Sequence, residues 1–159
     1  MIKPGDTLPS MKLMAATADG PREISTDDIF QGKRVVLFAV PGAFTPTCSA
    51  RHLPGFVENA AAFKAKGIDT LVCLAVNDAF VMGAWAKSQE VGDAILMLAD
   101  GSAQFTKALG LELDLVSRGL GIRSQRFALV ADDMKVTHLA VEKPGDFDVS
   151  RAEAVLAAL

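Results

Sequence analysis

The sequence predicts an α/β fold in which one mixed β-sheet lies between layers of helices. Two groups of segments carry that expectation. Residues 35–40 (VVLFAV) and 68–76 (IDTLVCLAV) are almost unbroken apolar runs, as expected of strands covered on both faces, and the helical stretch between them makes the pair parallel and right-handed. Two later runs, 126–131 and 135–141, are separated only by a turn around Asp132 and Asp133, so they pair antiparallel before a final helix. A strand–helix–strand half followed by a strand–strand–helix half places helices on both faces of a mixed sheet.

The elements follow in order. Residues 1–34 carry turn signals at Pro4-Gly5, Pro9 and Gly20-Pro21 and read as a small leading hairpin or extended arm covering the core. Ser25-Thr26-Asp27-Asp28 before Ile29 and Phe30 reads as one capped turn. After the strand at 35–40, Pro41 and Gly42 break the chain, and from Cys48 apolar residues at helical spacing (Leu53, Val57, Ala60) predict a single helix running to Gly67. Asn77-Asp78 caps a helix to about Ser88 with Phe80, Val81, Ala84 and Trp85 on its apolar stripe. Ile95 to Leu98 is a short strand, Ser102 to Leu109 a helix stopped by Gly110, and 111–125 an irregular stretch. Ser150-Arg151-Ala152-Glu153 has capping-box spacing for a last helix to Leu159. This order is the plan of a thioredoxin-like three-layer sandwich.

Length and composition bound the rest. A chain of 159 residues, half of them hydrophobic and without repeat or linker, is expected to form one domain over 1–159. A net charge of −3 shows no basic excess, which argues against nucleic acid and anionic membrane as partners. No apolar stretch approaches the roughly 20 residues of a membrane span, and the start MIKPGDTLPSMKL lacks the apolar centre of a secretion signal. Two cysteines make no disulfide framework, so a reducing compartment, with cytoplasm as the default, and a reactive thiol are expected.

Cys48 is the candidate for that thiol. It falls at the first turn of a helix, where unpaired backbone N–H groups favour a thiolate, and the thiolate is the nucleophile. Thr45-Pro46-Thr47-Cys48 has the spacing of a C-x-x-C redox motif with a hydroxyl in place of the first sulfur. No disulfide closes across that pair. The Thr45 hydroxyl is expected to orient the sulfur and to bind a small polar substrate, Pro46 fits a first-turn position without wasting a donor, and Pro41 is expected to wall the pocket.

The stretch PGAFTPTCSARHLPGF (41–56) resembles the active-site signature of the peroxiredoxins, specifically the type II or type five group. Further matching segments are VCLAVNDAFVMGAW (72–85), ILMLADGSAQFTKALG (95–110) and RFALVAD (126–132), so the resemblance spans nearly the whole chain. It implies a thioredoxin-like fold with the family's N-terminal extension and insertion. It also implies a thiol peroxidase that reduces hydrogen peroxide and alkyl hydroperoxides through a sulfenic acid on Cys48, with Pro41 and Thr45 completing the loop and an arginine from a distant strand. No metal or organic cofactor is implied.

Geometry and resemblance both point to Arg126 for that arginine. A strand starting at 126 and antiparallel to 35–40 begins at the edge that carries the Cys48 loop, and a guanidinium there favours the thiolate and offers donors to a peroxide. Arg123 and Arg118 are the competitors, with surface ion pairs as their plain reading. His52, four residues after Cys48, shares its helix face. It is expected at the pocket rim or in a subunit contact, with a general-base role as the other reading. His138, in an alternating strand, is expected to be exposed.

Regeneration is less defined. Segment 143–159 contains no cysteine, which removes the route some family members use. Cys73, inside a strand, is either a buried core residue or a resolving thiol that requires the Cys48 helix to unwind. Glutathione with glutaredoxin, or thioredoxin, is the expected reductant. Members of the group dimerise through the active-site loop side. Gly42 and Phe44, with Phe80, Met82 and Trp85, are the candidates for the pocket or a homodimer patch. A thiol-disulfide oxidoreductase and a non-catalytic thioredoxin-like binding or holdase module are the rival functions.

Overall fold

The computed structural model describes residues 1–159. Nine strands and six α-helices follow one another: β1 (Lys12–Thr17), β2 (Gly20–Ser25), α1 (Thr26–Phe30), β3 (Arg34–Val40), α2 (Leu53–Glu58), α3 (Ala60–Ala65), β4 (Thr70–Ala75), α4 (Ala79–Ser88), β5 (Leu96–Ala99), α5 (Gln104–Leu109), β6 (Glu112–Leu115), β7 (Gly121–Ser124), β8 (Phe127–Asp132), β9 (Lys135–Val141) and α6 (Ala152–Ala157). Seven strands form one mixed sheet in the order β2-β1-β5-β4-β3-β8-β9. β3, β4 and β5 are parallel, whereas β8 runs antiparallel to β3 with Ala39 opposite Phe127.

Side-chain alternation on β3 explains the three layers. Val36, Phe38 and Val40 join one core with Leu53, Phe56, Phe63, Met82, Trp85 and Val155, the side of α2, α3, α4 and α6. Val35, Leu37 and Ala39 join the other with Ile29, Phe30, Phe105 and Leu109, the side of α1 and α5. A period of two buried on both faces is what an unbroken apolar run provides. Phe38 stacks on Phe56 with ring centroids 4.0 Å apart, pinning α2 to the centre of the sheet.

Local signals held at several places. Ser25 and Asp28 form a reciprocal capping box at α1, and the Asp78 side chain accepts from the Val81 N–H at the start of α4. Elsewhere tertiary contacts overrode them. The leading hairpin is more than a cover: β1 pairs with β5 and extends the sheet, while Leu8 of the arm before it packs on the core as expected. The stretch 111–125 is a β6–β7 hairpin separate from the main sheet. The apolar stripe of α4 is Ala79, Met82 and Trp85, which leaves Phe80 exposed. The capping box expected at Ser150 does not form, because the Ser150 hydroxyl donates to Glu142 instead.

Candidate active site

The expected single helix from Cys48 to Gly67 is interrupted twice. The chain enters helical geometry at Pro46, and the first helical bond runs from the Ser49 N–H to the Thr45 carbonyl. Residues Cys48–His52 then form a wide π-turn, closed by the Leu53 N–H on the Cys48 carbonyl. Such turns re-aim side chains at functional positions. A second break falls at Asn59, whose side-chain amide donates to the Gly55 carbonyl and separates α2 from α3.

The loop ahead of Cys48 is held from three sides. The Ala43 N–H donates to the Asn77 side chain at 2.9 Å, tying the loop to the end of β4. The Thr45 hydroxyl donates to the Gly42 carbonyl at 2.7 Å, so its recorded partner is the loop and not the sulfur it was expected to orient. The Arg123 guanidinium lies against Gly42 and reaches the carbonyl of the half-buried Pro41 at 3.4 Å. Arg123 is therefore no surface ion pair: it donates to the Pro41 and Leu120 carbonyls. Arg118 is exposed and unpaired.

Arg126 precedes β8, beyond the Phe127–Ala39 pair, at the end of the sheet where the Cys48 loop leaves β3. Its Nη2 donates to Cys48 Sγ at 3.1 Å, and its Nη1 donates to His52 Nδ1 at 2.8 Å. The other ring nitrogen of His52, Nε2, donates to the Ser150 carbonyl at 3.0 Å. His52 is not at a rim or subunit contact, since it is fully buried beside Phe38 and Phe56 with Phe147 edge-on to its ring. Burial, and then the charge of Arg126, lower its pKa to about 3, so the imidazole is neutral and serves as an acceptor to Arg126. With Nδ1 committed to Arg126, it is not arranged as a general base for Cys48. Cys48 itself has no exposed surface in this arrangement. A guanidinium beside a buried sulfur favours the thiolate and presents further donors to an oxygen arriving there.

The Redoxin family model matches residues 3–156. Peroxiredoxin-2C of Oryza sativa subsp. japonica is 53% identical over 156 residues, covering 98% of this chain and 96% of that protein. The chain belongs to the peroxiredoxins. Among solved structures, this peroxiredoxin is similar to reduced Prx3 of Vibrio vulnificus in complex with H2O2, with a TM-score of 0.94 and 54% identity over 99% of both chains. Peroxiredoxin 5 of Alvinella pompejana superimposes with a TM-score of 0.88 at 35% identity, over 99% of this chain and 97% of that one. These likenesses make it a peroxiredoxin of the type II kind, a thiol-dependent peroxidase that consumes a peroxide and draws on a thiol reductant.

In this peroxiredoxin the fold brings Cys48, His52 and Arg126 into one hydrogen-bonded group, with Pro41, Gly42 and Thr45 in the loop beside it. Cys73 stays in the middle of β4, paired with Phe38 and fully buried. Burial, and then the nearby Cys48, push its thiol well above the usual value. Phe44 is 56% and Phe80 75% exposed, whereas Met82 and Trp85 are buried and belong to no surface patch. His138 is half-buried on β9. Sequence reasoning missed Phe147 and Glu142 and read Trp85 only as part of an apolar stripe or patch. Trp85 Nε1 donates to Ser49 Oγ at 2.9 Å, bracing the turn next to Cys48. Phe147 carries the Arg51 guanidinium 4.6 Å from its ring centroid. Glu142 gathers the segment leading to Ser150. The Asn77-Asp78 pair carried a visible capping signal, but nothing local marked Glu142.

Proposed function

We propose that Cys48 is the peroxidatic residue. Its thiolate attacks the terminal oxygen of a hydroperoxide: an S–O bond forms, the O–O bond breaks, and the leaving oxygen departs as alkoxide or hydroxide that takes up a proton from solvent. The products are a Cys48 sulfenic acid and an alcohol or water. The observation that carries the reading is the 3.1 Å contact between Arg126 Nη2 and Cys48 Sγ. A fixed cation there favours the nucleophile in the ground state and faces the charge that develops on the leaving oxygen. His52 accepts from the same guanidinium and limits its rotation, and the loop of Pro41, Gly42 and Thr45 shapes the approach.

A second thiol must return the sulfenic acid to thiol. The segment 143–159 holds no cysteine, and Cys73 is buried in the sheet, which supports an external reductant: glutathione with glutaredoxin, or thioredoxin. The exposed Phe44 and Phe80 support a homodimer through the active-site edge. C48S is the test. It is expected to abolish peroxide consumption while leaving the fold intact by circular dichroism, and retained turnover would sink the assignment. An insulin-reduction assay, expected to be negative, separates this reading from a thiol-disulfide oxidoreductase.

A further inference from the structure

The Arg126–His52 pair is one half of a closed circuit whose other half lies outside the peroxiredoxin signature. The Glu142 N–H donates to the Arg126 carbonyl at 2.9 Å, so Glu142 sits directly across the sheet edge from the arginine that meets the sulfur. Its side chain turns inward and is 7% exposed. One oxygen, Oε2, accepts three hydrogen bonds: from the Asp148 N–H at 2.7 Å, the Ser150 N–H at 2.9 Å and the Ser150 hydroxyl at 2.7 Å. Glu142 makes no ion pair. Its recorded partners are N–H and O–H groups of a single loop. Burial works against its charge, but the bonds from Ser150, Asp148 and Val149 prevail and hold the carboxyl below the usual carboxylate range, so it is ionised at neutral pH.

The consequence lies one residue further round. Residues between Glu142 and Ser150 are mostly exposed apart from Phe147, which packs on the His52 ring, and the carboxylate gathers the far end of that loop, where the buried Ser150 carbonyl meets His52 Nε2. A carbonyl oxygen can only accept, so the ring nitrogen facing it must carry the hydrogen. Its presence selects the imidazole tautomer with hydrogen on Nε2 and leaves the Nδ1 lone pair facing Arg126. With the other tautomer, two donors would face each other across 2.8 Å. The guanidinium would then lose the anchor on Nη1 that sets the direction of Nη2 toward Cys48 Sγ.

We propose that Glu142 is a positioning residue for the peroxide reaction: by gathering the 148–150 backbone and the Ser150 hydroxyl, its carboxylate presents the Ser150 carbonyl to His52, fixes the His52 tautomer and thereby aims Arg126 at the Cys48 sulfur. The proposal rests on Cys48 being the reacting residue. It adds that the arginine's orientation is set from the C-terminal segment, through two hydrogen bonds, and not by the signature loop alone.

The test compares E142A, E142M and E142Q with the wild type by two measurements. One is the stopped-flow rate constant for oxidation by hydrogen peroxide. The other is the 15N spectrum of the His52 imidazole, which distinguishes the two tautomers and which a loss of stability alone does not alter in the folded fraction. E142A is expected to slow peroxide oxidation by roughly tenfold or more, the cost of a small misplacement at the reacting centre. The His52 signals should change from a single Nε2–H tautomer to a mixture. E142Q, which restores an acceptor oxygen of the same shape, should recover most of both. If E142A does not fold, E142M, which fills the space without an acceptor, is read in the same way. A folded variant that reacts at the wild-type rate with unchanged His52 signals overturns the proposal, even with a lowered melting temperature. C48S separates the two levels: wild-type behaviour of E142A alongside a dead C48S removes only the role of Glu142, whereas an active C48S removes the reading of Cys48 itself.

Discussion

Arg126 donates to Cys48 and His52 at once, Nη2 to the sulfur at 3.1 Å and Nη1 to the imidazole at 2.8 Å. One planar group therefore couples the nucleophile to a buried, neutral acceptor. Lysine offers no such fork.

The first prediction concerns that fork. R126A is expected to lower the rate constant for oxidation of Cys48 by peroxide about 100-fold, the size of effect seen when one preorganised donor is lost. R126K should fall between, because a single ammonium keeps the charge but does not span both partners. Stopped-flow oxidation measures both variants. Wild-type rates in R126A would show that the contact is structural only.

His52 links stability to pH. Its imidazole titrates at about 3 in the folded protein against 6.5 for the free group, burial being the main cause and the Arg126 charge the second. Between those values the unfolded chain binds a proton that the folded one does not, so stability is complete above about pH 6.5 and declines as the pH falls toward 3. The slope is about 1.4 kcal/mol per pH unit. H52F removes this component. Urea unfolding at pH 7 and pH 5 should show the wild type losing about 2 kcal/mol more than H52F over that interval. Equal losses in the two proteins would contradict the assignment of His52 as neutral.

Cys73 is expected to be dispensable for turnover. Fully buried in β4, with its thiol pushed well above the ordinary value, it offers no thiolate to a Cys48 sulfenic acid unless the sheet opens. C73A should keep the wild-type rate with glutathione and glutaredoxin, at a stability cost of about 1 kcal/mol for the small cavity. A stalled second turnover in C73A would instead identify Cys73 as the resolving thiol.

The exposed pair Phe44 and Phe80 makes the proposed homodimer testable. Replacing both, as F44D with F80D, should reduce the mass in solution to the 16.7 kDa of one chain, read by light scattering. The M82A variant is no substitute, because Met82 is buried in the core and its loss would destabilise the protein. An unchanged mass in the double variant would remove this face as the contact.

Much of the site was readable before any coordinates. The apolar run at 35–40, its Pro-Gly break and the helix start placed Cys48, and the antiparallel return of the strand at 126 placed Arg126 at the same edge, since strand direction decides which end of a sheet a residue occupies. The position of His52 misled in an instructive way. Four residues from Cys48 it shares a helix face, but the π-turn and the rings of Phe38, Phe56 and Phe147 buried it. Ser150 misled too: its spacing to Glu153 matched a local cap, and Glu142 took the hydroxyl first.

By itself, then, the sequence determined a mixed sheet with a parallel strand–helix–strand half and an antiparallel return, and the cysteine at the end of one strand, because these follow from periodicities of a few residues and from the handedness of short connections. The tertiary structure alone decided which polar atoms meet: His52 reaches Ser150 across 98 residues, and Arg126 reaches Cys48 across 78. A buried hydrogen bond depends on direction and distance to within fractions of an ångström, and no local pattern encodes that. Packing must bring the partners together before either side chain has a role.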